Sequence, residues 1–195
     1  MGQRQKLNSD ISRSLGTDRL CLRGALTDNA SAMNAAVIES WVELSRWMEW
    51  AQGAKPTIQD TIEQINKRES DFENRSEFRF SIFEKRAGIF IGNCSLLRLD
   101  WTVPRGEIGY WCATNRVGQG YITEAVLALT KFGWSLGLVR VEIRCDAKNL
   151  RSRAVAERAG FALEGVLKND CRNPQGALRD GCVFAQAARS VEMTS

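Results

Sequence analysis

Polar and apolar positions alternate along Arg19-Leu-Cys-Leu-Arg23, Phe78-Arg-Phe-Ser-Ile-Phe83 and Leu138-Val-Arg-Val-Glu-Ile-Arg-Cys145. Period two is the pattern of a strand with one face in a core. Two β-rich runs, Gly88-Ile-Phe-Ile-Gly-Asn-Cys-Ser-Leu-Leu97 and Glu107-Ile-Gly-Tyr-Trp-Cys112, read as further strands. The basic turn at Lys85-Arg86 makes the first of these one arm of a hairpin. Two shorter strands are expected near Ala162–Leu167 and Leu178–Ala187. Helical spacing takes over elsewhere. Met33, Val37, Ile38 and Trp41 follow the cap candidates Thr27-Asp-Asn-Ala, and that helix continues or breaks near Leu44, Trp47 and Trp50. Ile58, Ile62 and Ile65 follow Thr57, an apolar helix is expected over 122–136, and another over 149–159 stops at Gly160.

The order of elements predicts one mixed α/β domain over residues 17–190, built around a strand, a glycine loop, a helix and a strand. Residues 1–16 are polar and aperiodic, and are expected to form a loose tail. No repeat or low-complexity segment interrupts the chain.

Composition changes the picture mainly by exclusion. The chain of 195 residues has no histidine, which removes Ser-His-Asp and Cys-His nucleophiles, imidazole bases and histidine-bearing zinc sites. The six cysteines are scattered without a CxxC pair, so they read as reduced thiols rather than a metal or redox motif, and no metal is expected. The net charge of +4 is mild, and segments such as KRESDFENRSEFR interleave both signs, unlike a nucleic-acid-binding face. The first ten residues carry no apolar leader, and no window approaches ~18 uninterrupted apolar residues. A cytoplasmic protein with neither nucleic-acid nor membrane partners is expected.

The segment Val117-Gly-Gln-Gly-Tyr-Ile122 joins a strand to a helix. Its glycines allow a tight turn that aims main-chain N–H groups at an anion beside the helix start. It is not GxGxxG, because position 123 is Thr, and no GK[ST] follows. Alone it reads first as a tight strand-to-helix turn.

Four linked motifs sharpen the reading. GEIGYW, VGQGYITEA, LVRVEIRCDAKNLRSRAVAERAGF and LEGVLK, in this order and spacing, resemble the GNAT acetyltransferases. Within that superfamily the match is to the branch of the ribosomal-protein N-terminal acetyltransferases RimJ and RimL. The resemblance spans residues 105–170, and extends more weakly through Thr17–Arg23 and Trp47–Trp50. It implies the GNAT fold, a mixed sheet of about seven strands with flanking helices, splayed between two central parallel strands. It also implies acetyl-CoA as co-substrate. Its pyrophosphate would lie among Gly118, Gln119, Gly120, Tyr121 and Ile122, and its pantetheine along Tyr110, Trp111 and Cys112. Arg116 and Arg151 are candidates for the other phosphates. The family's loop pattern, Gln/Arg-x-x-Gly-x-Gly/Ala, is departed from at its first and sixth places by Val117 and Ile122.

Acetyl transfer to an amine needs a base, an oxyanion donor and an acid for the departing thiolate. By resemblance Ser152 is the acid, while Asn149 is either a helix N-cap, a pantetheine partner, or both. The base is open between Glu107, Asp170 and a water relay, because the position of the RimL-type glutamate is Cys171. Trp47 and Trp50, with Trp41, either fill core or line an acceptor pocket. The acceptor is expected to be a protein N-terminus. A small amine, such as an antibiotic or a peptide–nucleotide toxin, is the alternative. A non-catalytic acyl-CoA sensor, suggested by Val117 and Cys171, is a third reading. A monomer or a homodimer would suit the fold.

Overall fold

The structure is a computed structural model that describes residues 11–188. Its strands are β1 (Ser14–Gly16), β2 (Leu20–Arg23), β3 (Phe78–Glu84), β4 (Phe90–Asp100), β5 (Arg105–Cys112), β6 (Arg140–Asp146), β7 (Ala162–Arg172) and β8 (Leu178–Ala187). Its helices are α1 (Ala30–Glu39), α2 (Trp41–Trp47), α3 (Ile58–Glu73), α4 (Tyr121–Ser135) and α5 (Leu150–Arg158).

Local chemistry accounts for several boundaries. The Thr57 hydroxyl accepts the Asp60 N–H at 3.2 Å, while the Asp60 carboxylate takes the Thr57 N–H at 2.7 Å, so α3 begins with a reciprocal capping box. The first helical region breaks at Ser40. That buried residue accepts the Thr114 N–H on its Oγ at 2.9 Å, which pins the α1–α2 corner to the loop after β5.

All eight strands form one sheet in the order β1-β2-β3-β4-β5-β6-β8-β7. The number exceeds expectation by one, because Ser14–Gly16 pairs antiparallel with Cys21–Arg23 at the edge. The tail expected over residues 1–16 is therefore corrected at its end, while its first ten residues lie outside those described. Only β5 and β6 pair in parallel, and α4 is the crossover that a parallel pair requires.

Two apolar clusters hold the helices to the sheet. In one, Val126, Leu129 and Phe132 of α4 meet Leu20, Phe80, Ile108, Val141 and Phe184. Phe132 stands edge-on to both Phe78 and Phe80, with centroids 5.4 Å apart in each pair. In the other, Met33, Leu44 and Ile65 from the first three helices meet Phe83, Phe90 and Trp111. Period two sends Ile108 and Tyr110 to the α4 cluster and Trp111 to the other. Among the described residues no helix is long and apolar enough to cross a membrane, and no group of three or more Cys, Asp or Glu is placed to hold a metal.

Candidate active site

The glycine loop ends in a left-handed turn. Gly118 and Gly120 have φ of +81° and +79°, a region that costs any L side chain energy, and Gly120 is the N-cap of α4. The first N–H groups of a helix have no partner within it. Those of Tyr121, Ile122 and Thr123 therefore converge at the loop, since the helical ladder starts with Glu124 N–H to Gly120 O. The Thr123 hydroxyl, in the first turn of α4, is buried with no hydrogen-bond partner among the described residues. Arg19, just before β2, clamps the loop: its guanidinium donates to Gln119 O at 3.0 Å and Glu124 Oε2 at 2.7 Å, and lies over the Tyr121 ring. Ile122 turns its side chain into the core and offers the loop only main chain, which accounts for a bulky residue at that place.

Beside the loop the sheet opens. Parallel pairing covers Arg105↔Arg140, Gly106↔Val141 and Glu107↔Glu142 and then stops. Strand β5 continues to Cys112 along β4, and β6 continues to Asp146 along β8. Ala113 N–H donates to Ile91 O, so alternation turns the main chain of Trp111 and Gly109 toward β4. Ile108, Tyr110 and Cys112 then present theirs to the gap. Trp111, expected to pair with the pantetheine through its backbone, is corrected on this point, because β4 already uses those groups.

Tyr110 reaches across the gap to α5. Its hydroxyl lies 3.0 Å from Ser152 O and 3.0 Å from Ser152 Oγ. Burial pushes the phenol well above its usual range, against the hydrogen bond from Ser152. Asn149 caps α5 by accepting the Ser152 N–H on Oδ1 at 3.1 Å, so its N-cap role is realised. Cys145 also hydrogen-bonds the Ser152 side chain, and burial raises its thiol to about 11.

Glu107 stands where the parallel pairing ends. Burial pushes its carboxyl above the ordinary range, although Arg98 donates to Oε2 at 2.7 Å and Arg144 lies 4.0 Å away. For Glu142 beside it burial acts the same way, but hydrogen bonds from Arg140 and Arg144 outweigh it and hold the group low. Two neighbouring carboxyls are thus shifted in opposite directions by their surroundings. Asp170 does not join them. It lies exposed on β7, its carboxylate filling the space a Cβ on Gly181 would take. Cys171 accepts from Arg179 Nε at 2.9 Å, and Arg179 Nη1 lies 3.8 Å from Asp146.

The tryptophans divide. Trp41 packs against the second core cluster. Trp47 donates from Nε1 to Glu43 at 3.2 Å, and Glu43 also meets Arg151, 3.4 Å away. Trp50 is 52% exposed, and its ring lies 6.2 Å from that of the buried Trp111. The turn between β7 and β8 closes on this region, where Gln175 donates to Ser45 O. Sequence reasoning missed Arg19, Thr123 and Cys145. The motif holding Thr123 was visible, but the partners of Arg19 lie about a hundred residues away and left no local signal.

A glycine turn at a helix start, beside two parallel strands that part over a hydroxyl pair, defines an acyltransferase of the GNAT type. The family pattern of the acetyltransferase (GNAT) domain matches residues 19–162, and the chain belongs to that family. It is 29% identical over 181 residues to N-acetyltransferase p20 of Bacillus licheniformis, covering 90% of this chain and 97% of that protein. It is 40% identical over 90 residues to the ribosomal-protein-serine acetyltransferase of Escherichia coli, covering 46% and 49% respectively. Among solved structures, the microcin C7 self-immunity acetyltransferase MccE, in complex with acetyl-CoA and AMP, superposes with a TM-score of 0.81 at 25% identity, over 88% of this chain and 94% of that one.

Proposed function

We propose that this chain transfers the acetyl group of acetyl-CoA to the amine of a protein N-terminus. The observation that carries the reading is the opening of β5 from β6 beyond Glu107 and Glu142, with Tyr110 and Ser152 across it and the glycine loop beside it. Helix-start N–H groups at the glycine loop suit a pyrophosphate, and free strand groups at Tyr110 and Cys112 suit an amide-bearing arm. A relative named as a ribosomal-protein-serine acetyltransferase supports the protein acceptor.

In this reading the amine nitrogen bonds to the acetyl carbon and the carbon–sulfur bond breaks. Glu107, its carboxyl raised by burial, takes the amine proton through water. A main-chain N–H in the gap meets the oxyanion. Ser152 gives its proton to the thiolate and regains one from water once CoA has left, while the Tyr110 hydroxyl, 3.0 Å away, holds it in place. The exposed Asp170 takes no part. The reaction belongs to the cytoplasm, with the chain acting as a monomer or homodimer.

The half-exposed Trp50, its ring tilted 58° to that of Trp111, favours a second reading, in which a flat aromatic or nucleotide-bearing amine is acetylated. The AMP bound by a structural neighbour is consistent with it. Labelled acetyl-CoA and a cell extract separate the two. Label in one small protein, at its N-terminus by mass spectrometry, supports the first, and label among small molecules supports the second. No free CoA released with any of a panel of amines, despite stabilisation by acetyl-CoA, would overturn both in favour of a sensor.

A further inference from the structure

A cavity of about 390 Å³ lies apart from this site, between α3 and strands β2 and β3. Four arginines line it: Arg13, Arg23, Arg68 and Arg79. Glu69 is the one acidic residue in its wall. The nearby carboxylates are already engaged, Glu69 and Glu73 with Arg13, and Glu77 with Arg79. Arg23 has no carboxylate partner among the described residues; it meets Asn29 Oδ1 at 3.4 Å and lies over the Phe83 ring. Arg68 has none either. With the Asn93 amide turned so that its oxygen faces the donors around it, Arg68 Nη1 reaches that oxygen at 3.2 Å, but Arg68 Nε is buried without any acceptor. Burial, with the neighbouring Arg79 charge, pulls its guanidinium down to about 10, which still leaves it charged at neutral pH.

A buried cation is tolerated when a counter-charge and its hydrogen bonds accompany it. Here the fold supplies neither to Arg68 Nε, and it adds three more guanidinium groups around the same space. Arginine forks are suited to carboxylate and phosphate oxygens. We infer that this cavity is a binding site for a small phosphate- or carboxylate-bearing anion, held by Arg68 and Arg23 and distinct from the acetyl-CoA site. Its volume exceeds that of an inorganic ion, and Phe72 and Ile65 in the wall give an apolar portion of the ligand a place. The site is coupled to the aromatic wall of the acceptor region. In that same amide orientation the Asn93 oxygen also accepts the Trp111 Nε1–H at 3.1 Å, so an anion drawing Arg68 toward itself would bear on the group that anchors Trp111.

The test uses the full chain saturated with CoA, so that the cofactor's phosphate site is filled. Sodium phosphate and sodium citrate are titrated separately at constant ionic strength, and Tm is followed. At a concentration near 100 times Kd, a gain of about 5 °C is expected with at least one of the two anions. The identity of the effective anion distinguishes phosphate from carboxylate ligands. Arg68→Met is expected to abolish the gain, and Arg23→Gln, which leaves the α3 interior intact, to reduce it several-fold. No gain with either anion would overturn the proposal, as would an undiminished gain in the Arg23→Gln protein. Neither readout depends on acetyl transfer.

Discussion

The hydroxyl of Tyr110, on the last parallel-paired strand before the gap, sits 3.0 Å from both the main-chain oxygen and the Oγ of Ser152 in the first turn of α5. This contact spans the opening where the backbone ladder is missing, and it fixes the orientation of the serine from the opposite wall. Ser152→Ala is expected to lower kcat about 100-fold with acetyl-CoA affinity unchanged, the size of a lost general acid. Tyr110→Phe is expected to lower kcat less and to reduce stability by about 1 kcal/mol, one neutral hydrogen bond. Steady-state kinetics with thermal unfolding checks both, and an unchanged kcat in Ser152→Ala removes that residue from the chemistry.

With Glu107 as the proposed base, a pH dependence follows. A base works in its charged form, so kcat/KM is expected to fall as pH drops through the Glu107 pKa, which burial has raised above the ordinary carboxylate range. Arg98 favours the charged form, at 2.7 Å. Arg98→Met therefore moves the acidic limb to higher pH. A limb that stays in place or moves down would show that a different group titrates, as would an acidic limb surviving in Glu107→Gln.

Gly120→Asp places a side chain at φ +79° and a negative charge at the start of α4. Acetyl-CoA binding measured by calorimetry is expected to disappear while the circular dichroism spectrum is kept. Binding at the native affinity would mean that the loop does not hold the phosphates.

Trp50 and Trp41 separate pocket from core. Trp50→Ala, at a ring 52% exposed, is expected to raise KM for the acceptor several-fold and leave Tm nearly unchanged. Trp41→Ala removes a ring from the second core cluster and is expected to cost about 2 kcal/mol or more of stability. The opposite pattern would exchange their roles.

The start of α3 offers a control far from the chemistry. Thr57→Ala removes half of the reciprocal cap with Asp60, and a loss of about 1 kcal/mol is expected in denaturant unfolding with kcat unaffected.

Where binary patterning was strong, the chain could be read closely. Thr57 as a cap, the Lys85-Arg86 turn and the two-residue period of β6 all lie in local sequence, and the structure has each of them. The edge strand Ser14–Gly16 was missed because three residues are too few to show a period, and its partner strand alone defines it. The helix break at Ser40 carries no glycine or proline, and arises from a contact with Thr114 that is remote in sequence. In the site, glycines were legible because φ constrains identity. The direction of a main chain was not: Trp111 and Tyr110 are adjacent, and only the pairing with β4 decides which faces the gap. The pairing of Glu107 with Arg98 was similarly invisible, since Arg98 owes its position to a bulge in β4, where φ is +50°.

The sheet is continuous in strand order but not in strength. Strands β1 to β5 form one ladder, β6, β8 and β7 form another, and three residue pairs join them. Such a junction is a seam, along which the molecule is expected to part first under heat or tension, with α4 as the strap that keeps the halves together. A ligand seated in the open part of the seam, as proposed above, would supply the rungs that the polypeptide omits, and so serve as a piece of the sheet as well as a reactant. The lifetime of the folded protein would then rise and fall with the supply of its own donor.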